Sequence, residues 1–462
     1  MILNTSHSFL KIKLNKRIFQ LITSFTALLF FTHNSLAETE TVEITEQEHA
    51  ILNQLKQGEE SVSEPVVIGD KSYIGLFSSK LGPTNLNLTW LHGLELTWDD
   101  SDFYLKVGGR IYLDLAFYIE DKNDLGDDGF GLRTLQVDMS GKLNKNWFYR
   151  LKWGGFTNGG KLDSSGAFLD DAFIRYLGFD NVIVTLGQHT EPFSLEQQTS
   201  SLNTTFMERA LPNALAPGST VGISAAFGDE NWFASVGFFT KQLSNYKDQG
   251  DQGYGFTGYL STSPFRNENG VIHIGGSLSY RFGNKNNAVF FRYRPESGLT
   301  SVRYVNTGTI TGAKDIGRLG FDIAGIFGPW SFQSEYIHTL IGRDTGYKDV
   351  DFNGWYAFVS WFATGESRNY RQNGVFGSTT PIHPYGAWEI ALRYSNIDLN
   401  DADIQGGEEH NITLGVNWFI HQQLRLMFNY SYIMTDANAN DNNTVAGNDN
   451  PHIIQMRLQA NF

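Results

Sequence analysis

Apolar and polar residues alternate with a period of two along most of the chain after about residue 86. The clearest stretch is FYLKVGGRIYLDLAFY at 103–118, whose odd-numbered positions are apolar or glycine while Lys106, Arg110 and Asp114 stand at even ones. A β-strand with two unlike faces produces this period. The stretch is roughly three times as long as an average strand of about five or six residues, so the pattern predicts an all-β chain with unusually long strands.

The same alternation recurs down to the last residue, where IIQMRLQANF at 453–462 places Phe462 on the apolar face and Arg457 on the polar face. We count about 16 strands, and at most 18, because the stretch 283–318 is ambiguous. Tight connectors are predicted at 143–146, 178–181, 228–231, 328–329 and 421–423. Long polar connectors are predicted at 119–130, 158–167, 189–218, 241–253, 364–386, 396–410 and 434–451.

Short turns at one end and long loops at the other are typical of outer-membrane barrels. A soluble sandwich or propeller is the competing architecture. The strand lengths match the about 9–11 residues of a tilted membrane span, and tryptophans such as Trp147, Trp330 and Trp418 lie near strand ends, where aromatic girdles form. We therefore predict a transmembrane antiparallel β-barrel over residues 81–462, with its apolar face toward lipid and the Phe462 strand closing it.

The N-terminus has the features of an export signal, with Lys11, Lys13, Lys16 and Arg17 before an apolar stretch and small residues at 35–37. We expect cleavage after Ala37; the alternative is a membrane anchor. Residues 38–80 are predicted to be a periplasmic segment with a possible short helix, and an oligomerisation helix is the alternative. The chain has no Cys, and its formal charge of −14 becomes −18 without residues 1–37, which argues against nucleic acid as a partner.

The polar faces of the strands hold nine basic and five acidic residues, an excess of four positive charges toward the predicted lumen. A few fixed charges act strongly on ions in a narrow pore. Candidate pore-lining and anion-binding residues are Lys106, Arg110, Arg150, Lys152, Arg292, Arg294, Arg393 and Arg425, and Arg457 faces inward too. The five acids are Asp114, Asp138, Asp322, Glu335 and Glu389. The competing interpretation is that these acids pair with the bases and stiffen the wall.

Signatures of catalysis are missing from the sequence: it holds no HExxH, G-x-S-x-G or Walker-type glycine loop. His273 and Ser277 share one segment without a clear catalytic partner. Gly108-Gly109 stands in mid-strand, where we expect it to permit barrel curvature. We predict no enzymatic activity, no cofactor and no bound metal.

Several stretches resemble the phosphate-selective porin O and P family, from LKVGGRIYLD at 105–114 and GQHTEPFSLEQQTSSLNTTFMERALPNALAPG at 187–218 to GAWEIALRYSNIDLND at 386–401. The resemblance implies a 16-stranded outer-membrane barrel, usually a trimer, whose third loop folds into the lumen. Glu196, Glu208 and Arg209 would lie on that constriction loop. We expect the adjacent Glu208 and Arg209 to anchor the loop to the wall; a role as a selectivity filter is the alternative. Family members often carry arginines where this chain has Ser219 and Thr220.

We therefore expect a passive porin in the outer membrane of a Gram-negative bacterium, with a modest preference for small anions such as phosphate. Its expected partners are lipid, small anions, two further copies of the chain and, through Phe462, the barrel-assembly machinery. A general or cation-preferring porin is one alternative, and a surface adhesin or scaffold barrel is the other.

Overall fold

The computed structural model describes residues 67–68, 71–72, 78–80, 86–90, 93–98, 102–156, 167–242, 253–283, 289–371 and 373–462. The predicted export signal and the predicted helix within 38–80 lie outside these residues. No helix in the described ranges is both long and apolar enough to cross a membrane.

The described elements are almost all strands. A separate two-stranded sheet consists of β1 (Val67–Ile68) and β2 (Lys71–Ser72). Next come β3 (Ser78–Lys80), β4 (Leu86–Trp90), β5 (Leu94–Trp98), β6 (Tyr104–Ile119), β7 (Gly129–Asn144), β8 (Trp147–Phe156), β9 (Ala167–Tyr176) and β10 (Val182–Thr190). A short helix α1 (Leu195–Gln198) and a 3-10 turn (Leu211–Ala214) precede β11 (Ser219–Gly228), β12 (Trp232–Phe239), β13 (Tyr254–Asn267) and β14 (Gly270–Phe282).

A small hairpin, β15 (Arg292–Tyr293) with β16 (Val305–Asn306), stands apart from the main sheet. The remaining strands are β17 (Ala313–Phe327), β18 (Trp330–Arg343), β19 (Val350–Phe362), β20 (Ala387–Asp401), β21 (Ile404–His421), β22 (Leu424–Thr435) and β23 (His452–Asn461). Within the described ranges, β6–β14 and β17–β23 form a closed antiparallel barrel of 16 strands. The predicted fold class is confirmed.

The barrel closes where β23 pairs with β6, with Arg457 opposite Asp114. This pairing uses only the part of β6 from Arg110 onward, while its first residues pair with β5. Gly109 lies between the two partners: its N–H donates to the Phe462 carbonyl at 2.8 Å and its carbonyl accepts from the Phe462 N–H at 3.0 Å. A Cβ at Gly109 would lie 2.7 Å from the Phe462 ring. The Gln136 carbonyl oxygen would lie equally close, at 2.7 Å, and because a backbone atom cannot move aside as a ring can, glycine is required here.

Burial alternates along the strands as the sequence pattern predicts. On β20, Trp388, Ile390 and Leu392 are exposed, whereas Glu389 and Arg393 are buried. The exposed faces carry stacked tryptophans near strand ends, such as Trp330 with Trp361 at 5.7 Å between ring centroids. Because one face is apolar and exposed and the other is polar and enclosed, the polar face lines the inside of the barrel.

Two predicted connectors differ from the structure, and the structure resolves one ambiguous stretch. The connector predicted at 396–410 is wrong, since β20 and β21 run through it and leave only residues 402–403 as a turn. Residues 364–386 do form a long connection, but at the short-turn end: the Phe362 N–H donates to Pro329 of the 328–329 turn at 2.9 Å. The ambiguous stretch 283–318 is a long loop with the β15–β16 hairpin, followed by the start of β17.

Candidate functional site

The loop between β10 and β11, residues 191–218, is here called the third loop because it is the third connection at the long-loop end. Its backbone N–H groups at Leu195 and Glu196 donate to the two carboxylate oxygens of Glu335 on β18, at 3.0 and 2.6 Å. Asn417 on β21 donates to the Thr205 carbonyl at 2.9 Å, and Gln459 on β23 donates to Leu202 at 3.1 Å. The loop therefore lies inside the barrel, against strands far from those that carry it.

Charged contacts strengthen this attachment. Arg457 on β23 donates to both oxygens of Asp114, at 2.7 and 2.8 Å, and to Glu208 of the third loop at 2.7 Å. Arg133 on β7 makes a two-pronged contact with the same Glu208 carboxylate, at 2.9 Å for each bond. Such planar two-bond pairs are among the strongest hydrogen bonds in proteins, so Glu208 joins the third loop to two separate parts of the wall.

The pKa of Glu208 reflects this environment. Burial alone would raise it, but the positive charges of Arg133 and Arg457 outweigh burial and lower the pKa to about 2. Glu196 on the same loop behaves differently: burial raises the pKa of its carboxyl, although Arg393 and Arg209 act against that shift. Arg209 donates to the backbone carbonyls of residues 196, 197 and 199, which stabilises the loop internally.

The connection between β14 and β17, residues 283–312, is here called the fifth loop, and its described part also lies inside the barrel. Val289, Phe291 and Val305 are buried against Leu211 and Leu215 of the third loop and against the inner faces of β17–β21. Glu296 accepts from Arg393 at 2.6 Å and from Thr413 at 3.2 Å, while its carbonyl accepts from Gln455 at 3.1 Å. Two loops from the same end of the barrel thus fill one side of the lumen.

A third segment enters from the other end. The connection 363–386, here called the opposite loop, packs Val375 and Phe376 against Leu195 of the third loop. Asn203 of the third loop donates to the Phe376 carbonyl at 3.3 Å. The Tyr370 hydroxyl lies 2.6 Å from His273 Nδ1 and accepts from Ser263 at 2.9 Å. Loops from both ends therefore meet inside the barrel.

The wall formed by β6–β9 retains solvent exposure. The side chains of Lys106, Arg150 and Lys152 are 28%, 33% and 15% exposed, compared with 0% to 3% for Arg393, Arg425 and Arg457. Lys106, Arg150 and Lys152 nevertheless each have an acidic neighbour. Lys106 Nζ lies 2.6 Å from Glu95, Arg150 Nε lies 2.9 Å from Asp138, and Lys152 Nζ lies 2.8 and 2.9 Å from Asp170 and Asp171.

Other cations of this wall have neutral partners. Arg110 donates to the Ser201 hydroxyl of the third loop at 2.9 Å. Arg175 donates to Thr185 at 3.1 Å and lies 4.7 Å from the centre of the Phe173 ring. The hydroxyl and ring partners of these two arginines carry no opposing charge, although Arg110 itself is buried.

The structure separates the candidate residues into groups. Lys106, Arg110, Arg150 and Lys152 lie on the β6–β8 part of the wall, whereas Arg393 and Arg425 face the inward loops. The sequence pattern placed Arg292 and Arg294 on a barrel strand, and that placement is wrong: both belong to the fifth loop, at the β15 hairpin. Val289 and Phe291, which precede them, belong to the buried cluster, and Tyr293 between them packs against it instead of facing lipid.

Several lumenal residues escape simple alternation because of β-bulges. Tyr112 pairs with Thr134 and Leu113 with Leu132, which leaves Arg133 as the extra residue of a bulge. Lys152 pairs with Asp171 and Trp153 with Leu169, so Asp170 is the extra residue there and both acids reach Lys152. Bulges change which side chains share a face. By contrast, strict parity on β14 could have identified Arg281, whose guanidinium pairs with Glu191 of the third loop.

Ser219 and Thr220, where family members often have arginine, lie at the start of β11. Thr220 donates to Glu191 at 2.7 Å, and the Ser219 hydroxyl lies 3.1 Å from that of Thr190. These positions serve the attachment of the third loop. Among the described residues, no group of three or more histidine and acidic side chains is arranged to hold a metal ion.

Most of this chain is similar in sequence to known proteins. The sequence model of a family described as "Phosphate-selective porin O and P" matches residues 105–462. Porin O of Pseudomonas aeruginosa is 28% identical over 412 residues, covering 80% of this chain and 91% of that protein. An uncharacterised protein of Caulobacter vibrioides is 27% identical and covers 75% and 71% of the two chains.

Among solved structures, an anion-selective porin from Comamonas acidovorans is 15% identical with a TM-score of 0.49, covering 78% of this chain and all of that one. The DcaP channel of Acinetobacter baumannii is 10% identical with a TM-score of 0.48, covering 78% and 97%. At these scores the likenesses carry no part of the argument.

Proposed function

The chain belongs to the phosphate-selective porin O and P family, and we propose that its solutes pass along the β6–β9 wall with a modest preference for small anions such as phosphate. It is an outer-membrane porin of a Gram-negative bacterium. Transport is passive, since porin channels conduct along solute gradients and rely on sites that bind weakly enough to release.

The observation that carries this proposal is the contrast in exposure between the two sides of the lumen. On the β6–β9 side, the side chains of Lys106, Arg150 and Lys152 are partly exposed, and Arg110 has a neutral partner. On the other side, the arginines are buried against the inward loops, and their charged groups hold these loops and the neighbouring acids of the wall. Fixed cations beside water in a low-dielectric channel raise the local concentration of anions.

The names of the family and of its Pseudomonas aeruginosa member agree with an anion preference. The family is described as phosphate-selective, and the Pseudomonas aeruginosa relative is a porin of the same letter designation. The constriction residues Glu196, Glu208 and Arg209 would act through the shape of the third loop, because their charged groups contact the protein itself. Catalysis is not part of the proposal, and no cofactor is invoked.

A general porin without phosphate discrimination is the second candidate. It is favoured by the acids Asp138, Asp170 and Asp171, which stand beside the exposed cations, and by Ser219 and Thr220 in place of arginine. The candidates differ in selectivity, so a single measurement separates them.

The test is the reversal potential of the purified mature protein in a planar bilayer under a potassium chloride gradient. A reversal potential on the anion side is expected, and Lys152→Gln should move it toward zero. Lys145→Gln, on an exposed turn outside the lumen, is the matched control and should leave it unchanged. A reversal potential on the cation side would overturn the proposal.

We also propose that the barrel assembles as a homotrimer, that Phe462 is read by the assembly machinery, and that residues 1–37 are removed. The family resemblance and the terminal Phe support these points. Cross-linking of the native membrane protein tests the homotrimer, and mass measurement of the mature chain tests the removal of residues 1–37. Deletion of Phe462 tests recognition by the assembly machinery through its effect on insertion.

A further inference from the structure

The opposite loop ends in a short segment, residues 381–386, which leads directly into β20 and is here called the rim segment. Its sequence is PIHPYG. Two large apolar side chains on it are exposed, Ile382 by 65% and Tyr385 by 56%. By contrast, Val375 and Phe376 of the same loop are buried inside the barrel. The loop therefore has one apolar part that the lumen encloses and a second that the described residues leave uncovered.

The rim segment is joined to the outer surface of the barrel. The indole N–H of Trp418 donates to the Tyr385 carbonyl at 2.9 Å. Trp418 shares the outward face of β21 with the exposed Leu414, and its ring stacks on that of Trp388 on β20, with 5.3 Å between the ring centroids. Tryptophans near the strand ends of a barrel lie at the boundary of the bilayer. The opposite loop thus runs from the lumen to the outer surface, at the depth of this boundary.

The backbone of the rim segment is firmly held. The Ile382 N–H donates to the buried Glu366 carboxylate at 3.0 Å. His383 Nε2 lies 3.1 Å from the Thr364 carbonyl, and its ring stacks on that of Tyr385 at 4.9 Å between centroids. The two prolines of the segment fix their own φ angles. The exposure of the two apolar side chains therefore belongs to a fixed conformation.

Charge distinguishes this connection from other connections at the same end of the barrel. Residues 372–388 contain no Asp, Glu, Lys or Arg, whereas the turns at 228–231 and 267–270 read GDEN and NENG. A charged group is costly to move toward hydrocarbon, and an apolar or aromatic side chain gains from the same move. The composition of the rim segment therefore favours contact with lipid over contact with water.

We propose that the rim segment docks on phospholipid of the periplasmic leaflet, with the side chains of Ile382 and Tyr385 between the headgroups and the acyl chains. Lipid is the occupant because the segment continues the outward-facing Trp388–Trp418 stack and carries no charge. The leaflet is the periplasmic one because the short turns of such barrels face the periplasm. This inference goes beyond the proposed function, since it concerns the membrane and not the solute.

Docking would connect the bilayer to the lumen. The loop that carries the rim segment packs Val375 and Phe376 against Leu195 of the third loop. Lipid would therefore hold, from outside the barrel, one end of a loop whose middle lies inside it.

The test places a fluorophore on the rim segment. The chain has no Cys, so Ile382→Cys provides a single site for a nitrobenzoxadiazole label. The labelled protein is reconstituted in phosphatidylcholine vesicles, with or without a phosphatidylcholine whose acyl chain carries a nitroxide close to the headgroup. The label should lose most of its fluorescence to the nitroxide lipid and little to iodide present on both sides of the membrane. Tyr385→Cys should give the same result from a second position.

Two control positions bracket the result. Glu268→Cys lies at an exposed position of the 267–270 turn, at the same end of the barrel, and its label should be quenched by iodide and not by the nitroxide lipid. This control shows that the dye itself does not draw an exposed turn into the bilayer. Phe321→Cys lies on the outward face of β17, where the side chain is 60% exposed, and its label should respond to lipid alone.

The inference is overturned if labels at both rim positions behave like the label at position 268, which would place the segment in water. It is equally overturned if both quenchers leave the rim labels bright, which would mean that a second copy of the chain covers the segment. The reversal potential in chloride reports separately on the proposed function, because neither quenching pattern depends on which ions the lumen prefers.

Discussion

The two sides of the lumen use the same residue types for different purposes. On the filled side, formed by β17–β23, Arg393, Arg425 and Arg457 are almost fully buried and hold the inward loops through carboxylates and carbonyls. On the open side, Arg150 and Lys152 keep part of their surface in water beside neighbouring acids. An inward arginine that faces a loop stabilises the structure, whereas an inward arginine that faces water can contact the solute.

The largest expected effect comes from breaking an anchor on the filled side. Arg457→Ala should lower the free energy of unfolding by about 3–5 kcal/mol, because it leaves the Asp114 carboxylate buried without its partner and removes one of the two arginines that bind Glu208. The denaturant midpoint, followed by tryptophan fluorescence, measures this. Lys145→Ala on the exposed turn is the control, and equal midpoints for the two variants would contradict the anchoring role.

The second prediction concerns pH and the same anchor. The folded pKa of Glu208, about 2, lies below its unfolded value of about 4.3. Its contribution is therefore complete above about pH 4.3 and is lost as the pH falls toward 2, by about 2–3 kcal/mol. We expect unfolding midpoints of the wild-type protein to fall across this window more steeply than those of Glu208→Gln. Parallel curves would show that Glu208 is not the titrating group.

A smaller effect is expected where the opposite loop meets the wall. Tyr370→Phe removes the hydroxyl contacts to His273 and Ser263 and should destabilise the local fold by about 1 kcal/mol. Faster amide hydrogen exchange in residues 373–380 is the expected sign. Tyr385→Phe, at a position that is 56% exposed, should have no such effect. Unchanged exchange in Tyr370→Phe would mean that apolar packing alone holds the loop.

The smallest stability effect should come from the open side. Arg150→Gln should change the free energy of unfolding by no more than about 1 kcal/mol, as for other solvent-screened pairs, yet reduce anion preference. Asp138→Asn should increase that preference, because it removes the nearer of the two carboxylates beside Arg150 and leaves only Asp171, at 3.7 Å. A loss of stability in Arg150→Gln as large as that in Arg457→Ala would remove the distinction between the two sides.

Strand alternation accounts for most of what could be predicted. The inward position of Asp114, Glu389 and Arg457 follows from a period of two, and so does the exposed row on β20. Arg457 stands opposite Asp114 only because the last barrel strand pairs with the first. The sequence indicates that pairing only indirectly, through the apolar face of its terminal strand.

The features that could not be predicted are those that interrupt the period or depend on distant contacts. The bulge at Arg133 turns a residue inward against simple parity. Phe291 and Val305 resemble strand residues locally, but they pack against the third loop. Whether the connection 364–386 lies at the short-turn end or at the long-loop end of the barrel depends on the number of strands before it. The sequence pattern left the number of strands within 283–318 ambiguous, so it did not determine that end.

The seam at Gly109 has a consequence for the integrity of the closed barrel. Two stretches occupy consecutive lengths of one strand edge, and Phe462 fills the gap between them through both of its backbone bonds to Gly109. Hydrocarbon does not tolerate an unpaired strand edge. Removal of Phe462 would therefore leave the N–H and the carbonyl of Gly109 without their partners at the point where the cylinder is sealed.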